Sequence, residues 1–174
     1  MSKISEGWML PKEAFDWIKS NIAIGSRILE FGSGDGSKIL SELYELISIE
    51  HDKTWLNKGS GRYIHSKIIE NPSSTEFSQK GWYDYEKITD LPPSVELIIV
   101  DGPPGEIGRA GILEFLEDLP FTKWILVDDT DRCDEKALVE KLALKLQPLS
   151  QVNIISKSKR ANGENREATV LKMG

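Results

Sequence analysis

Glu30, Gly32, Gly34 and Gly36 stand in the run Leu-Glu-Phe-Gly-Ser-Gly-Asp-Gly, with Ser33 between the first two glycines. Glycine reaches backbone angles closed to other residues, so such a turn lets a ligand approach the main chain closely. The open N–H groups of a helix starting there would face that ligand. About eighteen residues past Gly32 comes Glu50, followed by His51; a carboxylate so placed can accept the hydroxyls of a ribose. Asp101 precedes Gly-Pro-Pro-Gly, whose prolines fix φ and hold the carboxylate on a stiff turn. Asp128-Asp129-Thr130-Asp131-Arg132 puts four charged residues in five positions. That arrangement is costly unless the residues are solvated or bound. The chemistry on offer is nucleoside binding beside a group of carboxylates.

These residues need elements to hold them. Ile28, Leu29 and Phe31 make an apolar run suited to a buried strand, and Ile39, Leu40 and Leu43 recur at helical spacing. Ser37 or Asp35 is the expected N-cap. Further strands are expected at Leu46–Glu50, Arg62–Ile69, Val95–Asp101 and Trp124–Val127. Gln151–Ser156 and Ala168–Met173 read as a closing hairpin with Asn162-Gly163 at its tip. Helices are expected from Pro11 to Asn21, around Ile112–Leu119 and over Glu135–Leu146. Residues 1–24 form an N-terminal helical segment in which Trp8 is expected to pack. Asn71–Pro93 has little periodicity and is expected to be a lid or a substrate loop. Within it, Trp82 or Tyr83 either stacks on a ligand or anchors the loop to the sheet. Lys157, Lys159, Arg160 and Arg166 read as a solvated loop.

The chain of 174 residues is expected to be one domain, residues 1–174, with enough length for a real core. Its apolar content of 39% and charged content of 29% are those of a globular domain. A net charge of −6 argues against holding nucleic acid by bulk electrostatics. Cys133 is the only cysteine, which excludes an internal disulfide and a cysteine zinc cluster. No apolar run approaches a membrane span, and Glu6 and Asp16 sit badly in a secretory signal. The expectation is a cytoplasmic protein.

Strands alternate with helices until the final hairpin, which predicts an α/β fold with a mostly parallel sheet and one antiparallel strand. The pattern from Glu30 to Gly36, Glu50, Asp101 after the fourth strand and the final hairpin together resemble the class I, Rossmann-like, S-adenosylmethionine-dependent methyltransferases. Ser-Ile-Glu-His-Asp with Trp55, Val-Asp-Gly-Pro-Pro-Gly with Arg109, and Asp-Asp-Thr-Asp-Arg are similar to a bacterial and archaeal branch of that class. The resemblance implies a seven-stranded sheet of order 3-2-1-4-5-7-6 with helices on both faces. It implies S-adenosylmethionine as cofactor, held by Glu30, Gly32, Ser33, Gly34, Gly36, Glu50, His51 and Asp101, with His65 or Ser66 where the third strand would meet the adenine.

Methyl transfer is an in-line displacement that needs a proton acceptor, for which Asp101 and His65 are the candidates. In the implied strand order Asp101, Asp128 and Asp129 lie at neighbouring strand ends, a set suited to Mg²⁺. This resembles the metal-dependent O-methyltransferases, although Asp129 stands where that group has asparagine and its lysine has no match here. The expected acceptor is a small hydroxylated, sugar-like molecule undergoing O-methylation, with no nucleic acid and no membrane; oligomeric state is open. Two alternatives stand beside this reading. A nicotinamide-dependent reductase is opposed by Ser37, where a dinucleotide fingerprint wants its third glycine. A non-catalytic module that kept the nucleoside pocket is opposed by the intact glycines and Glu50.

Overall fold

A computed structural model describes residues 9–71 and 76–174. Trp8, expected to pack, lies outside the described residues, as do positions 72–75 of the expected loop. Helix α1, Lys12–Asn21, follows Pro11 and buries Ala14, Phe15 and Ile18 along one face. Strand β1, Arg27–Phe31, leads through the glycine turn into α2, Asp35–Leu43, and then β2, Glu45–Glu50. Strands β3 (Arg62–His65), β4 (Ile68–Glu70) and β5 (Gly81–Tyr83) follow. The remainder is β6 (Ser94–Val100), β7 (Phe121–Asp128), α3 (Cys133–Leu146), β8 (Ser150–Lys159) and β9 (Asn165–Lys172).

Seven strands form one sheet in the order β3-β2-β1-β6-β7-β9-β8. Only β9 runs antiparallel to its neighbours, because β8 and β9 are joined directly as a hairpin. This is the expected order once β4 and β5, which pair with each other in a separate ribbon, are set aside. The central strands are buried on both faces, which is why Leu97-Ile98-Ile99-Val100 is continuously apolar rather than alternating. On one face Leu29, Phe31, Ile98 and Val127 pack with Trp82, Tyr83 and the α3 residues Leu138 and Leu142. On the other, Ile28, Leu97, Ile99 and Leu126 pack with Phe15 and Ile18 of α1 and Leu40 of α2.

The register aligns the ends that matter. Phe31 pairs with Ile49 and with Val100, and Val100 pairs with Val127. The residues that follow each, Gly32, Glu50, Asp101 and Asp128, therefore emerge side by side at one edge of the sheet.

Three sequence expectations are corrected. The third strand leaves the sheet after His65 rather than continuing to Ile69, because Ile68–Glu70 pairs antiparallel with Gly81–Tyr83. That pairing places a strand inside the expected loop and buries Trp82 and Tyr83 to 1% and 0% exposure. Both rings pack on Phe31, so they anchor the segment to the sheet. The helix expected around Ile112–Leu119 is only a 3-10 turn, Ala110–Glu114. A Cβ at Gly111 would lie 2.2 Å from the Trp82 Cβ, so this backbone is pressed flat against the ribbon.

Candidate functional site

The glycine turn is built on two close approaches. Gly32 has φ +88°, and a Cβ there would meet Gly102 Cα at 2.6 Å and its N at 2.7 Å. The turns after β1 and β6 thus touch through their main chains. Helix α2 begins after Gly34, which serves as N-cap in place of the expected Ser37 or Asp35. Ser37 Oγ instead accepts from the Gly34 N–H at 3.0 Å. Gly36 has a different task, since a Cβ there would lie 2.9 Å from the Phe15 ring. It permits α1 to pack against α2.

Glu30 lies behind the turn, 4% exposed, and accepts from Ser48 Oγ at 2.5 Å. Burial pushes its carboxyl up to about 7, against the Ser37 and Ser48 hydroxyls that favour its charge. Sequence reasoning placed Glu30 among the ligand contacts; it stiffens the turn and does not line the cleft. Its titration has a sign. The unfolded carboxyl titrates near 4.5 and the folded one near about 7. In that window the folded state holds more protons, so stability falls as pH rises through it and levels off above. Glu30→Gln is expected to remove this loss. Its thermal unfolding midpoint should match wild type near about pH 4 and exceed it near about pH 8, by roughly 2–4 kcal/mol of stability. Equal midpoints at both pH values would refute the assignment.

Glu50, at the end of β2 and 3% exposed, is held by main-chain donors. Its Oε1 accepts from the N–H groups of His51 and Asp52, both at 2.7 Å, and Oε2 accepts from Ser33 N at 2.8 Å. The Ser33 hydroxyl lies 3.4 Å from Oε2 and donates better to Trp55 O at 2.9 Å. Oε2 therefore keeps acceptor capacity for a ligand, while Oε1 is filled by the protein. Ser33, Glu50 and His51 line a cleft of about 880 Å³, together with Gly32, Asp52, Trp55, Asp101 and Gly102. That volume lies within the roughly 300–1,000 Å³ of small-molecule sites. His65 and Ser66 are not brought into it. His65 Nε2 meets His51 O at 3.0 Å and the Ser66 hydroxyl donates to Asp84 O at 2.9 Å, because the chain turns away into the ribbon there.

At the other end of the cleft Asp101, Asp128 and Asp129 bring carboxylate oxygens within 4.8 Å of one another, as the strand order implied. They do not stand alone. Arg109, 4% exposed, donates from Nε to Pro103 O (3.0 Å), from Nη1 to Asp128 O (3.0 Å), and from Nη2 to Asp101 O (2.9 Å) and Asp129 Oδ2 (3.0 Å). Arg132 Nη1 adds a second cation to Asp129 Oδ2 at 3.0 Å. Arg160 Nη2 donates to Asp129 Oδ1 at 2.6 Å, and its Nε pairs with Asp131. Arg166 Nη2 donates to Asp128 Oδ2 at 2.9 Å. Burial alone would raise the Asp129 carboxyl, but the guanidiniums of Arg109, Arg160 and Arg132 bring it below the usual value. Asp101 is pushed well above the usual value, by burial first and then by the Asp128 charge beside it. Asp128 Oδ1 is buried and has no partner among the described residues.

The three carboxylates are not equally open to a cation: Asp128 Oδ1 has no partner among the described residues and Asp101 has Arg109 only at 3.7 Å, but both oxygens of Asp129 are taken by guanidiniums. A divalent ion about 4 Å from one guanidinium would be opposed by about 8 kcal/mol at an effective dielectric of 20. The solvated basic loop expected from the sequence is corrected by the same contacts, since Arg160 and Arg166 turn inward onto these acids. Sequence reasoning saw Arg109 only as part of a pattern and missed its task. The clue was the uncompensated acidity of residues 128–131, which demanded cations from elsewhere.

No family model matches the chain, and no curated protein matches it. Solved structures are similar in fold. The METTL16 MTase domain superposes with a TM-score of 0.60 at 12% identity, over 91% of this chain and 64% of that one. This chain thus spans less than two thirds of that structure's length. TomG, the O-methyltransferase of tomaymycin synthesis from Streptomyces achromogenes, solved with S-adenosylmethionine, gives 0.55 at 13% identity over 93% and 79%. The E. cuniculi Mtq2-Trm112 complex, responsible for methylation of the eRF1 translation termination factor, gives 0.51 at 15% over 96% and 99%. The expectation of a small-molecule acceptor without nucleic acid is overturned by these neighbours. The METTL16 catalytic domain is also solved with MAT2A 3'UTR hairpin 1, and Mtq2 acts on a protein. The strand order, the glycine turn and the superpositions lead to one statement: this chain has the fold of the class I S-adenosylmethionine-dependent methyltransferases.

Proposed function

We propose that the protein transfers a methyl group from S-adenosylmethionine to a macromolecular acceptor, an RNA. The observation that carries the cofactor is the meeting of Gly32, Glu50 and Asp101 at three adjacent strand ends around one cleft. The Gly32–Gly102 contact brings the turns after β1 and β6 together main chain to main chain beside the cleft, and Oε2 of Glu50 has capacity for one ribose hydroxyl. Gly32 and Ser33, which line the cleft at the turn, are the main-chain positions nearest the amino-acid end of the cofactor in this reading. When bound, S-adenosylmethionine supplies an electrophilic methyl carbon. The side chains then have two tasks: to hold the attacking atom about 3 Å from that carbon and to receive its proton. Asp101 is the proton acceptor in this reading, because its partly exposed carboxylate lines the cleft beside Gly32 and Glu50.

The RNA reading is supported by the likeness to the METTL16 catalytic domain, which is solved with an RNA hairpin. The test has two stages. S-adenosylhomocysteine should bind in calorimetry with micromolar affinity, and Glu50→Gln should weaken it about tenfold, the worth of one hydrogen bond to a charged group. Absence of binding would remove the enzyme reading altogether. Methyl-labelled S-adenosylmethionine incubated with total RNA and with total protein should then label the RNA. Label confined to protein would transfer the acceptor to that class.

A further inference from the structure

We infer that the cations of the acidic end of the cleft are the protein's own guanidiniums, and that Arg160 and Arg166 are positioning residues holding Asp128 and Asp129 in the place where a metal-dependent enzyme would hold a divalent ion. The inference stands on side-chain geometry and does not rest on the methyltransferase reading. A divalent metal needs carboxylate oxygens turned toward one point with lone pairs free. Here Asp129 Oδ2 faces Arg109 and Arg132, both at 3.0 Å, and Oδ1 faces Arg160 at 2.6 Å and Arg166 at 3.6 Å. Asp128 Oδ2 faces Arg166 at 2.9 Å, which leaves Asp128 Oδ1, without a partner among the described residues, and Asp101, 3.7 Å from Arg109, outside these close pairs.

Two of these arginines come from far along the chain. Arg160 lies in the turn joining β8 to β9 and Arg166 near the start of β9. The hairpin is fastened to the acid loop by main chain as well. Thr130 N donates to Glu167 O at 2.9 Å, and Glu167 N donates to Asp131 Oδ1 at 3.0 Å. Arg166 also reaches Met9 O at 3.4 Å, so the segment before α1 is drawn to the same point. A hairpin bound this way sets the direction of each carboxylate and closes one wall of the cleft.

The experiment uses the whole chain without added ligand. Mn²⁺ binding is followed by loss of the free-ion resonance signal, and thermal unfolding is recorded in Mg²⁺ and in EDTA. Wild type should leave the free Mn²⁺ signal unchanged and unfold at the same temperature in both solutions. The Arg160→Ala, Arg166→Ala double variant should unfold roughly 5–10 °C lower. It should also bind Mn²⁺ at least about tenfold more tightly than wild type, because removing two monovalent charges frees oxygens at the acid cluster. That gain separates a positioning role from simple loss of structure. Saturable one-to-one Mn²⁺ binding by wild type, lost in Asp128→Asn, would overturn the inference. If the double variant does not fold, the wild-type measurement alone decides. Calorimetry with S-adenosylhomocysteine on the same sample keeps this result separate from the fate of the cofactor reading.

Discussion

Gly32→Ala is expected to abolish S-adenosylhomocysteine binding and to destabilise the fold by about 3–5 kcal/mol. Two effects add at this residue. Its φ of +88° is one that side-chain-bearing residues rarely adopt. The new Cβ would also lie 2.6 Å from Gly102 Cα and 2.7 Å from Gly102 N, and main chain cannot swing aside as a flexible side chain can. Relief requires the turn after β6 to retreat, which carries Asp101 away from the cleft and strains the contacts of Arg109 to Asp101 O and Pro103 O. Gly25 supplies the control. It has φ +83° with nothing within 4 Å of an added Cβ, so Gly25→Ala should cost only about 1 kcal/mol and leave binding intact. Urea unfolding and calorimetry on the pair measure both quantities. Matching losses for the two variants would show that the close approach of Gly32 and Gly102 is not what the site depends on.

Arg109→Met is expected to cost about 3–5 kcal/mol at neutral pH, among the larger single effects in this chain. The methionine fills much of the volume but leaves Pro103 O, Asp128 O and Asp101 O without a donor and Asp129 without one of its cations. Arg109→Lys should recover only a small part. One ammonium cannot reach three turns at once, whereas the planar guanidinium makes these contacts from three nitrogens. The pH dependence distinguishes charge from packing. As pH falls, the carboxyls left unpaired in Arg109→Met protonate and their repulsion is lost. The gap to wild type, measured by urea unfolding, should narrow toward acid. A gap independent of pH would mean that Arg109 acts by volume alone.

Much of this arrangement was readable from the chain because the relevant signals are local. A strand of Ile28 to Phe31, a turn of alternating glycines and a helical repeat through Leu40 lie within one short stretch, and the fold follows that reading. Glu50 and Asp101 were placed by the strands they terminate. What escaped notice has a common physical origin. Strands of three residues, Ile68–Glu70 and Gly81–Tyr83, are too short to display alternation, so the ribbon that carries Trp82 and Tyr83 into the core was read as loop. His65 was misplaced for the same reason, since the turn away from the sheet is imposed by that ribbon. Arg160 and Arg166 looked solvated because their partners Asp129, Asp131 and Asp128 lie about thirty to forty residues earlier. Neither composition nor periodicity reports a contact across that distance.

The order in which the site receives its charges has a bearing on biosynthesis. Gly32, Glu50, Asp101, Asp128 and Asp129 leave the ribosome before Arg160 and Arg166, so the nascent chain carries its acids while only Arg109 and Arg132 are there to neutralise them. Docking of β8 and β9 therefore also completes the neutralisation of these acids. The wall of the cleft that Arg160 and Arg166 supply is complete only once position 166 has emerged.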